Sequence, residues 1–270
     1  MPLLIAIVAV PTAYWTLIWA VQRNLLFPAP PASVGRRAPH DSVRVELSTP
    51  AGPMEAWFLP ADGDPTVPGP AILFAHGNGE IIDYLPDTFD GARSAGFGVL
   101  LIEYPGYGRN PGRPTEASVR RVMTEGFDWL ATQPEVDPER IIAYGRSLGG
   151  GAVGALLTQR RPAAVILQST FRSIRHMARR LLVPGFLVRD PFDTIHSLTQ
   201  HAGPLLLIHG DRDDVVPIGE SEALHAAFPD SEYVVLPCGH NDCPTSWPEH
   251  WEMVLGFLAR HGVQAQADVR

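Results

Sequence analysis

No lysine occurs anywhere in the chain; all 21 basic residues are arginine. That absence removes several chemistries together, because a phosphate-loop lysine, a Schiff-base or pyridoxal lysine and a serine–lysine dyad all need an amine. Cysteine is scarce, with only Cys238 and Cys243 among 270 residues, too few for a disulfide-stapled scaffold. Basic charge is outnumbered by 29 acidic residues, and a formal net charge of -8 leaves none of the basic footprint that nucleic-acid binding requires. A hydrophobic share of 45% over this length suits one sizeable packed α/β domain. No internal repeat is evident.

Charge of either sign is missing from Pro2 to Val21, with Tyr14, Trp15 and Trp19 toward the end that meets Gln22 and Arg23. About twenty residues at 1.5 Å each cross a bilayer core of roughly 30 Å, so a transmembrane anchor over residues 1–22 is expected. The missing basic n-region and Ala-x-Ala site argue against a secretory signal peptide, and a buried core helix is the alternative. Arg23, Arg36 and Arg37 follow the span, which by the positive-inside rule puts the rest of the chain on the cytoplasmic side. Residues 23–42, rich in proline and alanine, read as a semi-rigid linker leading away from the anchor.

Past the linker, Val43, Val45 and Leu47 alternate with Arg44 and Glu46 as a half-wet strand, with Met54 to Leu59 as its hairpin partner at the sheet edge. Apolar strands are then expected at 71–75, 99–103, 141–144, 164–168, 205–209 and 233–236. Helices are expected between them at 82–95, 115–132, 149–160, 218–227 and 247–260. This alternation predicts a mostly parallel, doubly wound sheet covered on both faces over residues 43–262, with 263–270 as a tail. Residues 171–202 break the rhythm and read as a small helical lid. Phe171, Ile174, Ala178 and Leu181 are spaced for one apolar face, and Arg172, Arg175 and Arg179 for another that meets solvent, an anionic headgroup or the membrane surface.

One strand enters Gly145-Arg146-Ser147-Leu148-Gly149, and a helix-compatible segment leaves it. A serine nucleophile needs this sharp strand-to-helix turn, in which glycines let the two arms approach and the hydroxyl stands out near a helix amino terminus. Serine also needs a base within hydrogen-bond reach, and the base needs an orienting acid. Candidates follow in the chain: the carboxylates of the His209 to Pro217 segment at the end of one strand, and Gly239-His240 after the last. The Leu148 amide, next to the nucleophile at a helix start, is a candidate oxyanion donor.

These residues resemble the α/β-hydrolase superfamily, and within it the membrane-anchored serine hydrolases of the Bem46 and ABHD13/ABHD17-like group. Five blocks carry the resemblance: His76-Gly77-Asn78-Gly79; Tyr104-Pro105-Gly106-Tyr107-Gly108; the serine turn; His209-Gly210 through Val216-Pro217; and Gly239-His240. It implies an α/β-hydrolase fold with antiparallel amino-terminal strands, and a triad of Ser147, Asp213 and His240. Asp213 is implied over Asp211 and Asp214 because the family's aspartate stands three residues after the glycine. The resemblance also makes the Asn78 amide the second oxyanion donor, with His76, Gly77, Gly145, Gly149 and Tyr107 as supporting residues. Pro105 stands where an arginine is often found, so an ion pair there is not implied.

The reaction expected is cleavage of a carboxylic ester or thioester, with a small-molecule or lipid acyl substrate suggested by the anchor and the lid. A peptidase or acyltransferase on the same fold, or an inactive membrane-bound scaffold, are the rivals. No cofactor is expected. Cys238, His240 and Cys243, with His209, could instead ligate a metal, but the triad explains His240 without one, and two thiols are expected.

Overall fold

A computed structural model describes residues 2–33 and 38–265. The chain begins with helix α1 (Pro2–Leu26) and then forms the hairpin β1 (Val43–Thr49) and β2 (Gly52–Leu59). There follow β3 (Gly69–Ala75), α2 (Asp90–Ser94), β4 (Gly98–Ile102), α3 (Glu116–Leu130), β5 (Val136–Arg146), α4 (Leu148–Leu157) and β6 (Ala164–Gln168). The lid holds α5 (Ile174–Arg179) and α6 (Thr194–Leu198), and the chain ends with β7 (Leu205–Gly210), α7 (Gly219–Ala227), β8 (Glu232–Leu236) and α8 (Trp247–Arg260).

The eight strands form one sheet in the order β1-β2-β4-β3-β5-β6-β7-β8. β1 with β2 and β2 with β4 pair antiparallel, and every later pair is parallel. Because side chains alternate along a strand, Leu73 and Ala75 face a core shared with α3 and α4, while Ile72 and Phe74 face one shared with α2 and α8. Both faces are dry, hence the unbroken apolar runs. Thr115 and Ser118 close a capping box on α3, and the Ser246 hydroxyl accepts the Glu249 amide at the start of α8. The helix expected over 82–95 is instead two short 3-10 turns followed by the five-residue α2, since Pro86 has no amide to continue an α-helical ladder from Ile82.

The amino terminus corrects the anchor expectation. A helix does form, but among the described residues no helix is long and apolar enough to cross a membrane. Within α1 the polar side chains of Gln22 and Arg23 and the ring donors of Tyr14 and Trp15 lie toward the carboxyl-terminal half. Its second half is also docked. Tyr14 Oη donates to Leu181 O at 2.6 Å, Trp15 Nε1 to Leu182 O at 3.1 Å, and Gln22 Nε2 to Leu187 O at 3.0 Å. Arg23 Nε lies 2.7 Å from Asp190 Oδ2.

The linker likewise does not lead away where it is described. Phe27 is buried against Phe192, Pro31 bridges Gly108, and the Ser33 amide donates to Asp83. Arg36 and Arg37, on which the cytoplasmic expectation leaned, lie outside the described residues, as do 266–270 of the expected tail.

The lid is smaller and wetter than its periodicity suggested. Its first helix has only six residues, and Leu181 is exposed rather than on a core face. Arg172 does not meet an external anion; its guanidinium is paired with the buried Glu220.

Candidate active site

Strand β5 reaches the middle of the sheet's carboxyl edge and turns directly into α4. Ser147, at the turn, adopts φ 54° and ψ -116°, a left-handed conformation that a non-glycine residue holds only when its surroundings impose it. Its neighbours do so. A Cβ on Gly145 would collide with the Gly149 carbonyl, and one on Gly149 with the Ala75 carbonyl, so neither position admits a side chain. The Ser147 amide donates to Gln168 O at 2.8 Å and its carbonyl accepts from Thr170 Oγ1 at 2.8 Å, fixing the turn to β6.

His240, in the loop after β8, turns Nε2 to within 3.0 Å of Ser147 Oγ and Nδ1 to within 2.7 Å of Asp213 Oδ2. The second carboxylate oxygen of Asp213 accepts the Val215 and Val216 amides at 3.0 and 2.8 Å. His209 Nε2 stands 3.3 Å from the same Oδ2, and its ring is held by Ser221 Oγ and Val216 O. Burial pushes the Asp213 carboxyl up, but hydrogen bonds from His209, His240 and the Val216 amide outweigh it, and the group is held well below the usual carboxylate range. The side chain nearest the imidazole is therefore a carboxylate at neutral pH. Asp211 is exposed and beside Arg212, away from this cluster.

The turn after β3 packs against the elbow, with a Cβ built on Gly77 falling 3.6 Å from Ser147 Cβ. Asn78 is held there through its carbonyl, which accepts from Tyr107 Oη at 3.0 Å. His76 is a strut: Nδ1 lies 2.7 Å from Gly77 O and Nε2 2.9 Å from Glu103 Oε1, all of it buried. Leu148 opens α4, so its amide belongs to the unpaired first turn.

Two features were not legible in the sequence. Cys238 and Cys243 form a disulfide across the His240 loop, where the turn brings their Cα atoms to 5.2 Å, so they are not two thiols. Among the described residues no cluster of metal-ligating side chains is present. The second feature is Arg146, paired with Glu80. A glutamate three residues beyond Gly77 was the available signal, since that spacing lets a side chain return to a turn amide.

A model of the alpha/beta hydrolase family matches residues 72–202. An uncharacterised protein of Mycobacterium tuberculosis is 34% identical over 90% of this chain and 88% of its own length. The alpha/beta hydrolase domain-containing protein WAV2 of Arabidopsis thaliana is 31% identical over 80% of this chain and 77% of its own. Protein bem46 of Schizosaccharomyces pombe is 26% identical over 73% and 70%. The esterase Pf2001 of Pyrococcus furiosus superposes with a TM-score of 0.68 at 20% identity, over 86% of this chain and 97% of that one. The chain belongs to the α/β-hydrolase superfamily and is similar to its Bem46-like members.

Proposed function

We propose that this chain, a serine hydrolase acting on acyl bonds, cleaves a carboxylic ester or thioester with an extended apolar acyl group, using Ser147, His240 and Asp213. The observation that carries the reading is the unbroken path from Asp213 Oδ2 through both ring nitrogens of His240 to Ser147 Oγ, at 2.7 and 3.0 Å. Ser147 Oγ attacks the acyl carbonyl while His240 Nε2 takes its proton; the Asp213 carboxylate holds the tautomer and stabilises the imidazolium. The Leu148 and Asn78 amides receive the oxyanion. Collapse expels the alcohol or thiol, which leaves with the proton from Nε2, and water activated by the same nitrogen releases the acid.

The acyl preference rests on a cavity of about 440 Å³ between α1 and the lid. Ile18, Leu26, Ile174, Met177, Val183 and Val215 line it, and Val215 lies two residues past Asp213. Cavities of this size and character hold small apolar ligands. The same two elements present bare apolar side chains outward, with Leu182 81% and Phe186 84% exposed beside Leu17 and Leu25. This surface suits shallow contact with a lipid interface rather than a crossing. The disulfide beside His240 suits an oxidising compartment, against the cytoplasmic expectation.

Fluorophosphonate labelling of the full chain tests the triad: wild type is expected to label and Ser147→Ala not to, and an unlabelled wild type would sink it. A panel of acyl esters tests the pocket, because a preference for acetyl over long chains contradicts it.

A further inference from the structure

Arg146 ends β5 immediately before the nucleophile, and its guanidinium is taken up by partners on two other loops. Its side chain is 14% exposed, and burial lowers its affinity for the proton while the charge of Asp213 favours its cationic form. Nη1 is ion-paired with Glu80 Oε1, and Nη2 donates to the main-chain carbonyl of His240 at 2.8 Å. Glu80 uses its other oxygen to accept the Gly77 amide at 2.7 Å. One pair of side chains thus ties together three loops that leave the sheet after β3, β5 and β8. These carry Asn78, Ser147 and His240 respectively.

We propose that Arg146 and Glu80 form a half-buried positioning pair that holds the oxyanion turn and the His240 loop in register with Ser147. The proposal rests on the triad reading above. A half-buried ion pair contributes little net stability, so its value here lies in geometry. The base can reach Ser147 only if the backbone of His240 stays fixed, and Arg146 grips that backbone at the carbonyl of the same residue. Asp213 fixes the ring from the opposite side. The Gly77 amide, held by Glu80, precedes the Asn78 amide by one residue, so a slack Glu80 would let the oxyanion donor swing. Misplacement by about 1 Å costs on the order of a hundredfold in rate.

The test uses the full chain carrying Arg146→Ala, Arg146→Lys or Glu80→Gln, assayed on a soluble short-chain ester. Arg146→Ala is expected to lower kcat about a hundredfold with KM changed less than about threefold, because what is lost is alignment in the transition state. Arg146→Lys, which keeps the charge but not both contacts, should recover about tenfold of that loss. Glu80→Gln should fall between wild type and Arg146→Ala. Amide hydrogen exchange over residues 76–80 and 238–242 reads the same device without turnover. Faster exchange in both segments of Arg146→Lys and Glu80→Gln supports the proposal. Unchanged exchange, or kcat within twofold of wild type in both, overturns it. Wild type that fails to label at Ser147 would overturn the triad reading instead, and exchange would still judge the clamp. Should Arg146→Ala not fold, the two milder variants carry the decision.

Discussion

The elbow and the seam between α1 and the lid lie on the same edge of the sheet, yet they are built on opposite plans. Around Ser147, two glycine positions exclude any side chain, and buried carboxylates and imidazoles fix each loop to its neighbours. At the seam, Tyr14 and Trp15 reach main-chain carbonyls of the lid, Gln22 a carbonyl and the Arg189 amide, and Arg23 pairs with Asp190, while the adjoining leucines and Phe186 are left in solvent. The first region needs a single geometry because proton transfer tolerates little displacement. The second needs area and adaptability, which suits apolar ligands of varied length. A substitution should therefore act on rate or folding at the elbow, and on substrate choice or surface attachment at the seam.

The contrast is broken most severely at the triad. Ser147→Ala or His240→Ala should lower kcat by about 10⁴ to 10⁶, measured on a soluble ester with the fold checked by circular dichroism. Asp213→Asn should cost about 10⁴, through the wrong imidazole tautomer.

Gly149→Ala is expected to destabilise the domain by several kcal/mol or prevent folding, because its methyl group overlaps the Ala75 carbonyl. Thermal unfolding reads this, and no comparable effect should follow from substitutions at exposed seam positions.

His250 separates stability from catalysis. Burial pushes its imidazole down to about 4 from 6.5, and Nε2 lies 2.8 Å from Tyr144 Oη. A depressed histidine pKa means the unfolded chain binds the extra proton between these values. Its stabilising contribution is then whole above about pH 6.5 and is lost as pH falls toward 4, by at most about 3 kcal/mol. Asp213, also depressed, adds a loss only below about pH 4. Denaturant titrations of wild type and His250→Gln over this range should show a shallower acid slope in the variant.

Thiol alkylation before and after reduction should modify Cys238 and Cys243 only after reduction. Cys238→Ser should lower activity modestly, since Asp213 and Arg146 still hold His240.

The smallest kinetic effect is expected at the seam. Leu182→Glu with Phe186→Glu should leave turnover of a short soluble ester within twofold while weakening co-flotation with anionic lipid vesicles. A large loss on the soluble ester would erase the distinction between the two regions.

Local sterics explain why some of this was readable from residues alone. Gly145-Arg146-Ser147-Leu148-Gly149 announces the elbow because no other residues fit the two close approaches. The strand runs announce a sheet buried on both faces because every position must be apolar. The helix over 82–95 was misread because its apolar spacing ignored Pro86, and the lid because a six-residue helix cannot establish a face.

The order Ser147, Asp213, His240 and the glycines that shape the nucleophile's turn were determined by the sequence, since chain order and Cβ exclusion are local properties. Tertiary structure alone decided that α1 lies along the lid and that Cys238 meets Cys243. It also decided that Arg146 and Glu80 join the loops of three separate strands. Those partners are distant in the chain or free of any periodic pattern, and only the closed sheet brings their loops to one edge.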